Sequence, residues 1–298
     1  MAENMVASKQ TGAGAVRGED GRPVLYDMHC HLDFLEEPRG AAEAAARRGI
    51  AAFSNTVTPR GYLTTRGTLS GSANVRVGLG LHPWWVADGS VGESDLALFE
   101  ELAETTPYIG EIGLDFAERR AGTFDSQVAA FERAVAVRPD ERRVYSLHTV
   151  RAADTVLDIL ERQGRLHTGG SNESVCIFHW FSGSSDELTR AVRLGCYFSF
   201  GTRSLMTKRG RAYVRAVPRD RLLLETDWPD EPATPEGGEC PETAVWVDSW
   251  SRELRRALEL MQAALRKPGV HAEPQADAEA QLELADSLEK NARRILGI

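Results

Sequence analysis

The chain has 298 residues, of which 42% are hydrophobic, and this length suits either two small domains or one α/β barrel. Its formal net charge of −9 argues against broad, sequence-blind coating of nucleic acid, because such binding normally uses a basic face. No apolar stretch approaches the ~20 residues of a membrane helix and no signal-peptide core follows Met1, so we expect a cytoplasmic protein without membrane contact.

The chain divides into a leader and a regular body. Residues 1–23 are rich in Gly, Ala and charge without an apolar period, which predicts a flexible leader with no catalytic role. From residue 24 short apolar runs alternate with amphipathic stretches, and we expect one domain over residues 24–298. The candidate strands are 24–30, 50–56, 75–81, 108–112, 144–147, 175–180, 196–200 and 222–226. The candidate helices are 40–48, 94–105, 126–137, 152–163, 185–194, 212–217, 243–265 and 282–296.

Alternation of this kind predicts a parallel sheet whose strands are joined by helical crossovers. Eight repeats favour a closed (β/α)8 TIM barrel over an open doubly wound sheet, and no GxGxxG motif follows the first candidate strand. Active sites of such barrels lie at the carboxyl ends of the strands, so residues that end the apolar runs are the candidates for chemistry.

The first apolar run closes on two histidines one residue apart, His29 and His31. Because successive side chains of a strand point to opposite faces, we expect Asp27, His29, His31 and Asp33 to share one face if the extended geometry persists over all four. Imidazoles beside carboxylates suit a divalent metal, although an isolated pair of strand histidines is more often a polar surface feature.

Four further runs also end in a residue type that binds metals. These residues are Glu111, His148, His179 and Asp227. Core strands have no general reason to end this way, because burying an acid or a histidine is costly unless a partner compensates. In a barrel all six residues would converge on one mouth, where they predict a metal site.

Five motifs occur in a fixed order along the chain. They are Asp27-Met-His-Cys-His-Leu-Asp33, Gly80-Leu-His-Pro83, Ile109-Gly-Glu-Ile-Gly-Leu-Asp115, His179-Trp-Phe-Ser-Gly183 and Glu225-Thr-Asp-Trp-Pro229. Together they resemble the TatD-type metal-dependent deoxyribonucleases, from about residue 26 to residue 229, and residues 291–296 are similar to the last helix of that family. The resemblance implies an amidohydrolase-like barrel with one or two divalent ions (Zn, Mn or Mg). It also implies hydrolysis of phosphodiester bonds by metal-activated water, with DNA ends or single strands as substrate.

The resemblance also implies roles for single residues. His29 and His31 match the pair of one metal, and Glu111 matches a carboxylate that bridges two ions. His148 and His179 match further ligands. Asp227, also a ligand, is suited to orienting or deprotonating water.

His82 needs separate treatment, because it matches a family histidine near the substrate. We expect His82 to contact phosphate rather than metal, and with Glu111 and Asp227 it completes the predicted catalytic set. A histidine hydrogen-bonded below the mouth is the structural alternative.

The chain departs from the family pattern in its basic residues. Relatives commonly place an arginine two residues after the strand-five histidine, whereas Arg151 lies three residues after His148. The usual Arg-Asn-Glu-Pro element after strand eight is replaced by the acidic segment 235–241. A cluster after strand seven either contacts a nucleic-acid backbone or forms a solvated helix face; its members are Arg203, Lys208, Arg209 and Arg211.

Four tryptophans lie beside the candidate residues. Trp84 and Trp85 follow His82, whereas Trp180 and Trp228 each directly follow a proposed ligand. Aromatic rings can stack bases at about 1–3 kcal/mol each, and packing against a loop or helix is the alternative.

Three functions stay open at this level. The first is a DNase, and the segments 178–184 and 195–201 also resemble the TatD-like branch of the Qat anti-phage defence system, which implies protein partners in a defence complex. The second is a hydrolase of the same fold acting on a small ester, amide or aminoacyl-tRNA bond. The third is a regulatory subunit that keeps a metal site for stability or assembly.

Overall fold

Eight parallel strands follow one another in chain order around a nearly closed barrel. A computed structural model of the chain describes residues 24–137, 141–166, 174–229, 243–266 and 274–298. The strands are β1 (Leu25–Cys30), β2 (Ile50–Asn55), β3 (Val75–Leu81), β4 (Tyr108–Asp115), β5 (Val144–Val150), β6 (Val175–His179), β7 (Tyr197–Phe200) and β8 (Leu222–Leu224). The predicted (β/α)8 barrel is confirmed, and every strand begins and ends within three residues of its predicted bounds.

Helices connect the strands and surround the barrel. They are α1 (Pro38–Arg47), α2 (Pro59–Thr68), α3 (Pro83–Ala87), α4 (Glu93–Ala103), α5 (Phe124–Ala136), α6 (Ala153–Arg162), α7 (Ser185–Arg193), α8 (Thr202–Leu205), α9 (Lys208–Ala216), α10 (Thr243–Leu265) and α11 (Pro274–Leu296). Short 3-10 turns occupy Leu32–Phe34, Glu118–Thr123 and Arg219–Arg221. None of the helices within the described ranges is long and apolar enough to cross a membrane. The predicted leader and the acidic segment 235–241 lie outside the described residues.

The sequence pattern missed helix α2, whose composition explains the omission. Ten residues of α2 include two glycines and three threonines, all of them weak helix formers. Local capping compensates for this weakness: the Thr58 hydroxyl accepts a hydrogen bond from the Gly61 N–H, and Pro59 occupies the first helical turn.

An apolar floor closes the amino-terminal end of the barrel. Met28, Phe53 and Leu223 from three strands belong to one buried cluster with the last turns of α11. The Tyr26 hydroxyl donates to the carbonyl of Ile298 at 2.6 Å, and the Tyr108 hydroxyl donates to that of Leu296 at 2.7 Å. This end is filled by packed side chains, and the predicted ligands lie at the opposite end.

The barrel closes between β1 and the segment after β8. The Asp227 N–H donates to the His29 carbonyl, and the His31 N–H donates to the Trp228 carbonyl, each at 2.8 Å. These bonds bring residues almost 200 positions apart along the chain to one seam.

A buried carboxylate holds the outside of this seam. Asp27 accepts hydrogen bonds from the Thr226 N–H at 3.0 Å, from the Thr226 hydroxyl at 2.5 Å and from the Trp250 indole of α10 at 2.6 Å. Asp27 is fully buried, and burial raises its pKa to about 6.

The expectation that Asp27, His29, His31 and Asp33 share one face is wrong, because β1 carries a bulge. Between Asp27 and Cys30 three steps along β1 match two steps along β2, so β1 contains one extra residue. The Asp27 carboxylate accepts the His29 N–H at 3.2 Å within this bulge. Asp27 therefore points out toward α10, whereas both histidines point into the barrel.

We expect Trp250→Phe to lower the free energy of unfolding by about 1–3 kcal/mol, because the buried Asp27 carboxylate loses one donor. Urea denaturation followed by circular dichroism measures this change. Trp246→Phe is the matched control, since its ring lies 5.0 Å from that of Trp250 on the same helix and is only partly buried. Equal destabilisation by both variants would show that the hydrogen bond to Asp27 is not the cause.

Candidate metal centre

The structure brings the six predicted ligands together at the carboxyl-terminal end of the barrel. They come from β1 or its end, from β4, β5 and β6, and from the segment after β8; in chain order they are His29, His31, Glu111, His148, His179 and Asp227. They lie beside a cavity of about 510 Å³, whose lining includes five of them together with His82.

The sequence pattern predicted that Glu111 lies at the end of its strand. In the structure β4 continues beyond it to Asp115. The register of β4 shifts between Ile109 and Ile112 against both neighbouring strands, which marks an extra residue in β4. A Cβ atom on Gly110 would lie 2.1 Å from the side-chain oxygen of Asn55, so only glycine fits before Glu111. The local irregularity of β4 thus carries the Glu111 carboxylate into the middle of the site.

One oxygen of Glu111 faces the β1 histidines. Glu111 Oε2 lies 3.3 Å from both His29 Nε2 and His31 Nε2. Asp227 Oδ1 lies 3.5 Å from each of the same two nitrogens. The first group of donors therefore contains two imidazole nitrogens and two carboxylate oxygens.

The other oxygen of Glu111 faces a second pair of histidines. Glu111 Oε1 lies 2.7 Å from His148 Nδ1 and 2.9 Å from His179 Nε2. The carboxylate therefore lies between two separate donor groups, each with its own pair of imidazoles. This is the position that a carboxylate shared by two cations would take.

The ionisation of His29 and Glu111 suits a metal, whereas at His31 and His148 burial is outweighed by neighbouring carboxylates, which raise the pKa of both rings. Burial lowers the pKa of His29 to about 4, so its ring is neutral and keeps a lone pair for a cation. Burial alone would raise the pKa of Glu111, but the surrounding histidines hold it well below its usual range. Neutral imidazole and ionised carboxylate are the forms in which these side chains bind divalent ions.

The second ring nitrogen of each of these four histidines faces a polar group. His29 Nδ1 lies 2.7 Å from the Ser146 hydroxyl. The second nitrogens of the other three make no hydrogen bond to a described residue, but each lies 3.6–3.9 Å from a carboxylate: His31 faces Asp33, His148 faces Asp115 and His179 faces Glu225. Outer carboxylates of this kind orient metal-binding histidines and increase their basicity. The donor set and its outer partners together fit a divalent metal centre.

Asp115 and Glu225 are the functional residues that sequence reasoning missed. Both stand in the quoted motifs, four residues after Glu111 and two before Asp227, but no role was assigned to either. Asp115 has no exposed side-chain surface, and Glu225 is nearly as deeply buried. The signal that could have identified both residues is an acid in an apolar run, within four residues of a proposed ligand.

His82 lies beside Glu111, and one of its ring nitrogens faces the backbone. Its Nδ1 accepts the Trp84 N–H at 3.1 Å, at the start of α3. Burial lowers the pKa of His82 to about 4, and in the neutral ring Nε2 must then carry the proton. Nε2 lies 3.1 Å from Glu111 Oε1 beside the cavity, where His82, Glu111 and His148 form a group whose donor atoms could hold a metal ion. With the proton on Nε2, His82 has an N–H to donate there.

Only some of the tryptophans and arginines named from the sequence line the cavity. Trp84, Trp85 and Trp180 line the cavity, whereas Trp228 stacks on Trp246 of α10 with ring centres 6.2 Å apart. Arg203 is the only Lys or Arg among the described residues that line the cavity. Elsewhere in the cluster after strand seven, Arg209 and Arg211 donate to backbone carbonyls of nearby residues.

We expect Asp115→Asn to weaken the apparent affinity for divalent metal by about 10–100-fold, because the carboxylate beside His148 loses its charge. Competition with a chromogenic chelator measures this affinity. Asp125→Asn removes the same charge from an exposed position in the first turn of α5 and serves as the control. An unchanged affinity in a folded Asp115→Asn protein would contradict an outer role for Asp115.

Comparisons with known proteins agree with this architecture. The family model described as TatD related DNase matches residues 26–295. The chain is 30% identical to the uncharacterized metal-dependent hydrolase YjjV of Escherichia coli over 262 residues, which cover 81% of this chain and 95% of the relative. It is 27% identical over 226 residues to the human deoxyribonuclease TATDN3, covering 69% and 78% of the two chains. The crystal structure of YjjV superposes with a TM-score of 0.62 at 23% identity, covering 92% of this chain and 98% of that one, and shows the same fold. The chain therefore belongs to the TatD-related DNase family.

Proposed function

We propose that this TatD-family hydrolase is a DNase that cleaves phosphodiester bonds with two divalent ions. The observation that carries the proposal is the Glu111 carboxylate, whose two oxygens face different histidines: Oε2 faces His29 and His31, and Oε1 faces His148 and His179 as well as His82. Two ions about 3.5–4 Å apart are the usual arrangement in enzymes that displace groups at phosphorus. The deoxyribonuclease named among the relatives supports DNA as the substrate.

The proposed ligands are the two donor groups. His29, His31 and Asp227 would hold one ion and His148 and His179 the other, with Glu111 shared. A bound ion of this kind supplies water with a pKa near 7 and offsets the charge of the phosphate. A set rich in imidazole favours Zn or Mn over Mg, which prefers oxygen ligands and retains water.

Two further groups would act on the substrate directly. The Asp227 side chain is 20% exposed, more than its neighbours in the site, and it lines the cavity. Histidines hold the pKa of Asp227 at about 2 although burial opposes this, so its carboxylate is ionised and can accept a hydrogen bond from the attacking water. The N–H of His82 would donate to a phosphate oxygen from the wall of the cavity.

A hydrolase of a small ester or amide is the second candidate. The observation that favours it is the cavity itself, which has Arg203 as its one basic side chain among the described lining residues. Phosphodiester cleavage that is slow while model esters turn over quickly would support this reading. A purely regulatory subunit is less well supported, because all six proposed ligands are present and brought together.

The role in anti-phage defence, the protein partners and the cytoplasmic location stay predictions from the sequence. Deleting the gene region in a host and scoring phage plaques would test the defence role. Glu111→Ala in place of the wild-type chain would show whether that role needs the site.

We expect metal-stripped protein to cleave end-labelled single- and double-stranded DNA only after Zn²⁺, Mn²⁺ or Mg²⁺ is restored. Glu111→Ala removes the carboxylate that the two donor groups share. The metal content per chain and the rate of DNA cleavage should therefore both fall. Asp227→Asn should reduce cleavage by about 10²–10⁴-fold, the range of acid–base catalysis. Glu101→Gln, on the exposed surface of α4, is the control for removal of one charge. A wild-type protein that holds metal but cleaves neither strand form would contradict the DNase proposal.

We expect His82→Ala to retain the wild-type metal content while kcat falls by about 10²–10³-fold, the usual effect of losing one donor to a developing charge. Elemental analysis of the purified protein and steady-state kinetics are the paired measurements. His82→Gln keeps an amide donor and should recover part of the rate. Loss of one ion per chain in His82→Ala would instead identify His82 as a ligand.

A further inference from the structure

Trp180 is presented to the cavity in an unusual way. Its side chain lines the cavity, and the residue is 37% exposed, whereas the aromatic residues of the core are buried. It follows His179, the last residue of β6, so it stands directly beside the proposed metal centre. A tryptophan placed for packing would be covered, and this one is not.

The backbone holds Trp180 in this position. Its φ of +41° lies in the left-handed region, where a bulky residue is rare. The Trp180 N–H donates at 2.9 Å to Glu225 Oε1, and the other oxygen of that buried carboxylate accepts from the Ser199 hydroxyl at 2.5 Å. An unfavourable conformation that the buried structure enforces at the edge of a site points to a functional use of the side chain.

A cation accompanies the indole. The Arg203 guanidinium carbon lies 5.4 Å from the centre of the Trp180 ring, within the range of a cation–π contact. Arg203 comes from α8, which follows β7, so two adjacent loops build the pair. Among the described residues of the cavity wall, Arg203 supplies the only permanent positive charge.

We propose that Trp180 and Arg203 form a nucleotide subsite in which the indole stacks a nucleobase and the guanidinium binds the phosphate next to the one that is cleaved. Planar aromatic surface with an adjacent cation is the combination that binds single-stranded nucleic acid without reading sequence. The subsite rests on the proposed DNase function. In this subsite a base contributes to substrate binding, because it leaves the stack of its neighbouring bases and stacks on the Trp180 indole instead.

The test compares two single strands of equal length and equal phosphate number, one carrying bases and one with abasic residues throughout. We expect Trp180→Ala to lower kcat/KM for the base-containing strand by ~5- to 150-fold, the equivalent of one stacked base. The same variant should leave kcat/KM for the abasic strand unchanged. Trp180→Phe keeps a stacking ring and should retain most of the wild-type value.

Arg203→Ala should lower kcat/KM by the same factor for both strands, because both carry the phosphate. Arg203→Lys should recover part of this loss. Two matched controls lie outside the cavity lining: Leu63→Ala, an exposed apolar residue of α2, and Arg47→Ala, an exposed cation in the last turn of α1. Neither control should change kcat/KM for either strand.

The outcomes separate the subsite from the DNase proposal. If the wild type cleaves DNA and Trp180→Ala loses activity equally on both strands, the subsite is wrong and the DNase function stands. If the wild type cleaves neither strand, the DNase function is wrong. Fluorescence anisotropy of the same strands, with wild type and Trp180→Ala, then decides the subsite, and equal affinities would overturn it.

Discussion

The position of one carboxylate organises this site. Glu111 lies among five imidazoles, and each of its two oxygens faces a different set of them. A carboxylate can reach that point only because β4 bulges there and because Gly110 leaves room beside Asn55. Charge explains why the arrangement persists: burial opposes ionisation of Glu111, but the surrounding rings and any cation between them favour it.

Three of the histidines have a carboxylate behind them as well as in front. Asp33, Asp115 and Glu225 come from three different parts of the chain, yet each faces the ring nitrogen that points away from Glu111. Such partners fix ring orientation and choose which nitrogen is free for a metal. His82 is the contrasting case, because its outer partner is a backbone N–H rather than an acid. This contact leaves the proton of a neutral His82 ring on Nε2, which supports the donor role proposed for His82, although it lies as close to Glu111 as the proposed ligands do.

Sequence reasoning reached the barrel and the six site residues because both leave periodic signals. Apolar runs mark strands, and a polar residue that ends such a run marks the mouth of the barrel. The orientation of Asp27 could not be obtained this way. It depends on the bulge in β1 and on a hydrogen bond to Trp250, 223 positions away, and no local pattern reports either. Glu111 was placed at the wrong point of its strand for the same reason, since an extra residue in β4 is invisible to alternation.

The charge of the molecule limits how it can hold a polyanion. With a net charge of −9 and one arginine among the described residues of the cavity wall, the protein offers a phosphate backbone little long-range attraction. If the protein is the proposed DNase, attraction would come from short range, from ions between the histidines and from aromatic rings of the cavity wall. A cavity of about 510 Å³ has the size of a small-molecule pocket rather than of a groove for a duplex. Recognition would then be concentrated on the few atoms that enter the cavity, and the rest of a long substrate would remain in solvent.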